Sequence, residues 1–324
     1  MKKFLITIGV VILAFILVTV FNKPEIKDVQ STNKTEEHCL TGAFIGDRPS
    51  RQDIVEFKRD YGKKPYFVMI FVDWDNYPDL GAIKAILAEG SCPFITWEPW
   101  EAPSKTAIDY DKLLQGGYDQ YIIDFAKLIK SFKAEVFLRF AHEMNGDWYP
   151  WSGSKIGVDK YKDIYKHVKD IFDGIGVNNV KWVFSINGED VPSIKANDCI
   201  NYYPGEEYVD YVGIDGYNWG NTQSWSKWTT FRELFNDAYS KVNEVFKKPI
   251  LISEFSSASR GGGKTEWIRN AMQDIKALGE IKGFVLFNVN KEVDWSFPAS
   301  EKPGKEFKKQ LENPYFKGNV RNDE

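Results

Sequence analysis

The chain of 324 residues, 43% of them hydrophobic, is long enough for one large domain with a sizeable core. Its 42 basic side chains against 46 acidic ones give a net charge of −4 and a sequence pI near 5.7. The two signs are mixed along the chain with no basic stripe, which excludes nucleic acid as an expected partner.

In chain order, Lys2 and Lys3 precede an uncharged apolar run from Phe4 to Phe21. Signal-peptide apolar regions run about 7 to 15 residues and finish in an A-x-A-like site. This run is longer and leads into Val20-Phe21-Asn22-Lys23 without small residues at that spacing. The expectation for 1–21 is a membrane segment, an uncleaved anchor in preference to a signal peptide, with the lysines in the cytoplasm and the rest outside. Residues 22–37 are polar and read as a linker. A single extracellular, monomeric domain is expected over 38–324. Cys39, Cys92 and Cys199 are an odd count without CxxC spacing, implying neither a disulfide framework nor a zinc site. They read as small buried side chains, with one bridging pair left open.

From Leu40 onward, β-branched or aromatic runs alternate with segments of helical period. Strands are predicted at 41–45, 66–72, 93–97, 135–140, 180–186, 211–214, 249–252 and 283–287. Helices are predicted at 51–61, 80–89, 118–132, 160–172, 230–246, 265–278 and 301–312. In the helix at 160–172, Ile164, Val168 and Ile171 share one face while Lys162, Lys166 and Lys169 point elsewhere. The link at 187–210 lacks a long amphipathic stretch, so its helix is short or irregular. This alternation, with no internal repeat, predicts an α/β fold, a (β/α)8 TIM barrel, over an open doubly wound sheet.

Barrel chemistry gathers at the C-terminal strand ends, and polar residues fall there. Asp73 follows the second strand, Glu98 and Trp100 the third, Asn187 the fifth, Asp215 and Tyr217 the sixth, and Trp295 comes after the eighth. The fourth strand ends in Arg139-Phe140-Ala141-His142-Glu143-Met144-Asn145-Gly146-Asp147-Trp148-Tyr149-Pro150-Trp151. A carboxylate beside an imidazole, followed by aromatic rings, is what a sugar-cleaving site needs. Breaking a glycosidic bond takes two carboxyl groups, one to protonate the departing oxygen and one to meet the oxocarbenium-like centre. Glu254, ending the seventh strand, is the second candidate, and a separation of about 5 to 5.5 Å would make one of the pair a nucleophile.

Other motifs are weaker. Ala258-Ser259-Arg260-Gly261-Gly262-Gly263-Lys264-Thr265 fits a relaxed P-loop pattern, but it begins with alanine and is read as a flexible loop near the cleft. His142-Glu143 is not HExxH, the only histidines are His38, His142 and His167, and no GxSxG occurs. Neither a metal nor an organic cofactor is expected.

Residues 139–151, together with 201–217 and Ser253-Glu254-Phe255, resemble glycoside hydrolase family 26, and the resemblance covers nearly all of 40–316. It implies a retaining barrel enzyme with Glu143 as general acid/base and Glu254 as nucleophile. By the same resemblance Tyr217 hydrogen-bonds the nucleophile and Trp148 lines the cleavage point. His142 is expected to hydrogen-bond the acid or the substrate. Trp100, Trp151, Trp219 and Trp295 are expected as sugar platforms, and Asn187 as a substrate contact. Mannan-cleaving members of the family commonly carry a histidine where this chain has Thr96-Trp97-Glu98-Pro99-Trp100. Their acid motif also more often continues Trp-Phe-Trp-Trp than Trp-Tyr-Pro-Trp. The expected polysaccharide partner is therefore β-glucan, mixed-linkage or β-1,4, with mannan second and β-1,3-xylan third. A carbohydrate-binding barrel without catalysis would keep the tryptophans but usually not both carboxylates.

Overall fold

The computed structural model describes residues 38–318, so the apolar run expected to enter a membrane and the linker at 22–37 lie outside the described residues. No helix among the described residues is long and apolar enough to cross a membrane.

Eight parallel strands follow one another: β1 (Cys39–Phe44), β2 (Phe67–Trp74), β3 (Cys92–Glu101), β4 (Val136–Phe140), β5 (Val180–Asn187), β6 (Tyr211–Asn218), β7 (Ile250–Ser257) and β8 (Ile281–Phe287). Each pairs with its sequence neighbour, and β1 also pairs with β8 from Leu40↔Gly283 to Phe44↔Phe287, which closes the sheet. Two-residue strands at Thr106–Ala107 and Phe316–Lys317 extend β3 and β1 at the rim. The outer layer is α1 (Arg51–Tyr61), α2 (Leu80–Ala88), α3 (Asp119–Ser131), α4 (Val158–Ile175), α5 (Phe231–Val245), α6 (Lys264–Ala277) and α7 (Lys302–Leu311). Between β5 and β6 the chain makes only 3₁₀ turns, the last at Glu206–Tyr208, in keeping with the missing amphipathic pattern.

Strand side chains alternate between two faces. Phe67, Phe94, Phe137 and Leu251 fill the barrel interior, while Val68, Ile95, Leu138 and Ile252 pack under the helices. Both faces are covered, which explains the near-continuous apolar runs. Helix α1 starts on a reciprocal Ser50–Asp53 capping box and stops at Gly62, whose φ of 81° suits glycine. In α4, Ile164, Val168 and Phe172 are buried while Ile171 is only half-buried. Lys169, expected to face away, is itself buried: its Nζ lies 5.8 and 6.0 Å from the Tyr208 and Trp182 ring centroids and reaches Asp173 at 2.7 Å.

The three cysteines are buried free thiols. The glycine-rich loop at 258–263 does not line the cleft; it packs beneath the loop after β6, where Asn221 donates its N–H to the Arg260 carbonyl at 2.9 Å. Lys264, the P-loop-like lysine, is buried, with its ammonium on the Asp294 and Ser296 carbonyls at 3.2 and 2.7 Å.

Candidate active site

Alternation along β4 turns Phe137 inward, Leu138 outward and Arg139 inward, so a guanidinium stands fully buried inside the barrel. A buried charge survives only when paired and hydrogen-bonded. Arg139 Nε donates to Thr96 Oγ1 at 2.9 Å, Nη1 to Asp215 Oδ2 at 2.7 Å, and Nη2 to Glu254 Oε1. Arg139 opens the motif but carries no role among the expectations drawn from the sequence. An arginine at an inward position of an otherwise apolar strand was the available signal.

Glu254 owes its aim to a bulge. The β6–β7 register runs Ile214↔Ile252 and then Asp215↔Glu254, leaving Ser253 as an extra residue. Such a bulge re-aims side chains. Here Ser253 and Glu254 both serve the interior, Ser253 Oγ donating to Asp215 Oδ1 at 2.7 Å. Ser185 Oγ lies 2.7 Å from Ser253 Oγ, and that contact fits because Gly213 stands between them: a Cβ there would sit 2.3 Å from Ser253 Oγ. Tyr217 donates its hydroxyl to Glu254 Oε2. Burial and the Glu254 charge hold the Tyr217 phenol well above its ordinary pKa, so it remains a donor.

Glu143 follows β4 in a left-handed turn, with φ of 49° at Ala141 and 53° at Glu143, values that non-glycine residues seldom adopt. Its N–H is tied to the Ser185 carbonyl at 2.8 Å. Asn187 Nδ2 donates to Oε1 at 3.1 Å, and Trp148 Nε1 to Oε2 at 2.8 Å. The indole can fold back in this way because Gly146 lacks a side chain, whose Cβ would lie 2.5 Å from the ring. Burial and the Glu254 charge push the Glu143 carboxyl up to about 7, against the opposing pull of these two hydrogen bonds.

His142 and Trp151 depart from expectation. The His142 ring is buried with Nε2 3.0 Å from the hydroxyl of the cleft-lining Tyr149; it makes no hydrogen bond to Glu143 and does not itself line the cleft. Burial and the Arg139 charge lower its pKa well below the usual value, so it is neutral. Trp151 is no sugar platform: it is fully buried, stacks on Tyr149 at 4.3 Å and donates to the His142 carbonyl at 2.7 Å. It braces the loop that carries Glu143.

The cleft has a volume of about 1300 Å³, above the roughly 300–1,000 Å³ of small-molecule pockets, so it has room for a polymer segment. Glu143 and Glu254 both line it, with Trp148, which is 43% exposed, and Asn187, whose amide faces Glu143. Trp100 reaches the wall but is nearly buried, donating to Asp73 Oδ1 at 2.6 Å beneath Lys105. Trp295 is also nearly buried and backs Trp219, their rings 4.8 Å apart. Trp225, not among the expected sugar platforms, is 70% exposed and meets Trp219 edge to face at 5.4 Å.

Among the described residues, two clusters have the spacing of metal ligands. His142, Asp215 and Glu254 bring ligand atoms within 4.8 Å of one another, but Arg139 already binds both carboxylates. Asp190, Asp198 and Cys199 form the other, where Lys241 bridges the two aspartates at 3.3 and 3.2 Å.

Endoglucanase H of Acetivibrio thermocellus is 38% identical over 281 residues, which is 84% of this chain and 30% of that protein. A mannan endo-1,4-beta-mannosidase of Bacillus subtilis is 30% identical over 139 residues, 39% of this chain and 32% of that protein. The chain thus spans about a third of the length of these curated relatives. Among solved structures, a GH26 beta-mannanase from Bacteroides ovatus shares the fold at a TM-score of 0.67 and 16% identity, covering 89% of this chain and 92% of that one. The family model for glycosyl hydrolase family 26 matches residues 47–288, which take in both glutamates and every one of the eight barrel strands but β1, and the chain belongs to that family.

Proposed function

We propose that this chain is a retaining endo-β-glycanase that cleaves a β-linked polysaccharide by double displacement. The observation that carries this reading is the division of labour between two carboxyls in one cleft. Glu143 keeps its proton up to about pH 7, while Glu254 is held between Arg139 and Tyr217. Glu254 attacks the anomeric carbon as Glu143 protonates the departing oxygen. Glu143, then a carboxylate, takes a proton from the water that releases the sugar. The shift at Glu143 suits this cycle: once Glu254 is esterified its charge is gone, and the Glu143 pKa falls as a base requires.

β-Glucan is the proposed substrate. Endoglucanase H matches far more of this chain than the mannosidases do, and the stretch Thr96-Trp97-Glu98-Pro99-Trp100 stands where mannan-cleaving members commonly carry a histidine. β-1,4-Mannan is the second reading, since several relatives bear that activity in their names. Export through the apolar run at 4–21 would place the cleft where such polymers occur.

A reducing-sugar assay on barley β-glucan, carboxymethylcellulose, mannan and xylan tests both parts, with Glu143→Ala and Glu254→Ala beside it. Turnover on glucan that both variants abolish is expected; binding without turnover would instead mark a non-catalytic carbohydrate-binding barrel. With an activated aryl glycoside, azide entering the vacated space should rescue both variants. The product should have retained configuration for Glu143→Ala and inverted configuration for Glu254→Ala.

A further inference from the structure

Glu98 is one of several further carboxyls in the cleft wall, and the two-carboxyl chemistry leaves it without a task. It lies at an inward position of β3, in register with Asp73 of β2, and both face the cleft. The two differ in partners. Asp73 accepts the Trp100 indole N–H at 2.6 Å, whereas Glu98, only 6% exposed, meets no hydrogen-bond donor among the described residues. A buried polar group without a partner is costly, and one directed into a ligand cleft has the ligand as its natural partner.

We propose that Glu98 acts as a neutral carboxylic acid that donates a hydrogen bond to a hydroxyl of the sugar unit held against Glu254. This rests on the glycanase reading and adds a specificity-determining contact to it. The charged and titratable groups around Glu98 are Asp73 on β2, Lys105 beyond β3, Arg139 on β4, Tyr149 in the loop after β4, and Glu254 on β7. Burial and the Asp73 charge outweigh Lys105 and Arg139 and raise the Glu98 pKa to about 8. A sugar hydroxyl accepts as readily as it donates, so a carboxylic acid can satisfy both of its roles. A carboxylate could only accept.

The test is oligosaccharide binding by calorimetry in a Glu143→Gln background, which stops chemistry and leaves Asp73, Arg139 and Glu254 in place. Cellotetraose, a mixed-linkage glucotetraose and mannotetraose are the probes, and the tightest binder is followed from about pH 6 to about pH 9, across the Glu98 ionisation. Affinity is expected to fall through about pH 8 in Glu143→Gln. Adding Glu98→Gln, which keeps a neutral donor and acceptor, should remove that fall and preserve the low-pH affinity. Adding Glu98→Ala should cost about tenfold at about pH 6. Lys264, lowered to about 8 beside the Trp295 loop, titrates in the same window but is common to all three variants, so only their difference reports Glu98. A pH dependence that survives Glu98→Gln, or a Glu98→Gln loss as large as that of Glu98→Ala, overturns the proposal and leaves the glycanase reading intact. Absence of binding by every probe would sink both.

Discussion

The proton on Glu143 is the quantity that single residues control most directly. Its carboxyl is raised to about 7 by burial and the Glu254 charge, while Asn187 and Trp148 favour its ionised form and hold the value down. The general acid is lost as pH rises through that value, so kcat/KM should decline on the alkaline side near about pH 7. Removing a donor to the carboxylate raises the pKa further. Trp148→Phe keeps an aromatic ring but not the N–H, and its alkaline limb should move up by about half a unit to one unit. A pH profile of the two proteins checks this, and an unmoved limb would show that the indole hydrogen bond does not tune the acid. Gly146→Ala should displace the indole and move the limb the same way, although Gly146 itself does not line the cleft.

At the level of the strand, β4 and β7 place the two charged partners by different devices. On β4 simple parity suffices: in Val136–Phe140 every second side chain enters the barrel, so Arg139 must meet Asp215 and Glu254. Arg139→Met would strand two buried carboxylates, and losing one partner of such a cluster costs about 3–5 kcal/mol. A large fall in Tm accompanied by loss of turnover is expected. On β7 the aim depends on the extra residue Ser253, and Gly213→Ala tests it. The new methyl would displace Ser253 or Ser185, shift the bulge, and lower kcat on the order of 10²-fold with a smaller change in KM. If kcat is unchanged, the bulge does not set the nucleophile's position.

These two cases also mark what the sequence made legible. The eight strands and seven outer helices follow from hydrophobic period alone, and Arg139 was within reach of the same parity. The bulge at Ser253 leaves no local signal because it exists only against β6. The burial of Trp151 and the turn of His142 toward Tyr149 depend on contacts within a folded loop, where a tryptophan that stacks on protein reads the same as one that stacks on sugar.

For the molecule as a whole, the site sets a pH-dependent cost against folding. Glu143 has a folded pKa of about 7 against an ordinary 4.5, and Glu98 is raised to about 8 by the same kind of burial. Below the unfolded pKa both groups are protonated in either state and contribute nothing to the difference between low-pH variants. As pH rises the unfolded chain releases these protons first, so the native state loses stability until the folded pKa is passed. For Glu143 the full loss is on the order of 3 kcal/mol. Glu143→Gln carries no ionisable group and escapes it. Its Tm should exceed that of the parent by several degrees at about pH 8 and match it at about pH 4. Calorimetric scans of the two proteins at both pH values measure this. An equal offset at both would mean that the gain comes from packing, in which case the carboxyl already stands ionised in the native barrel and is unfit to serve as the acid.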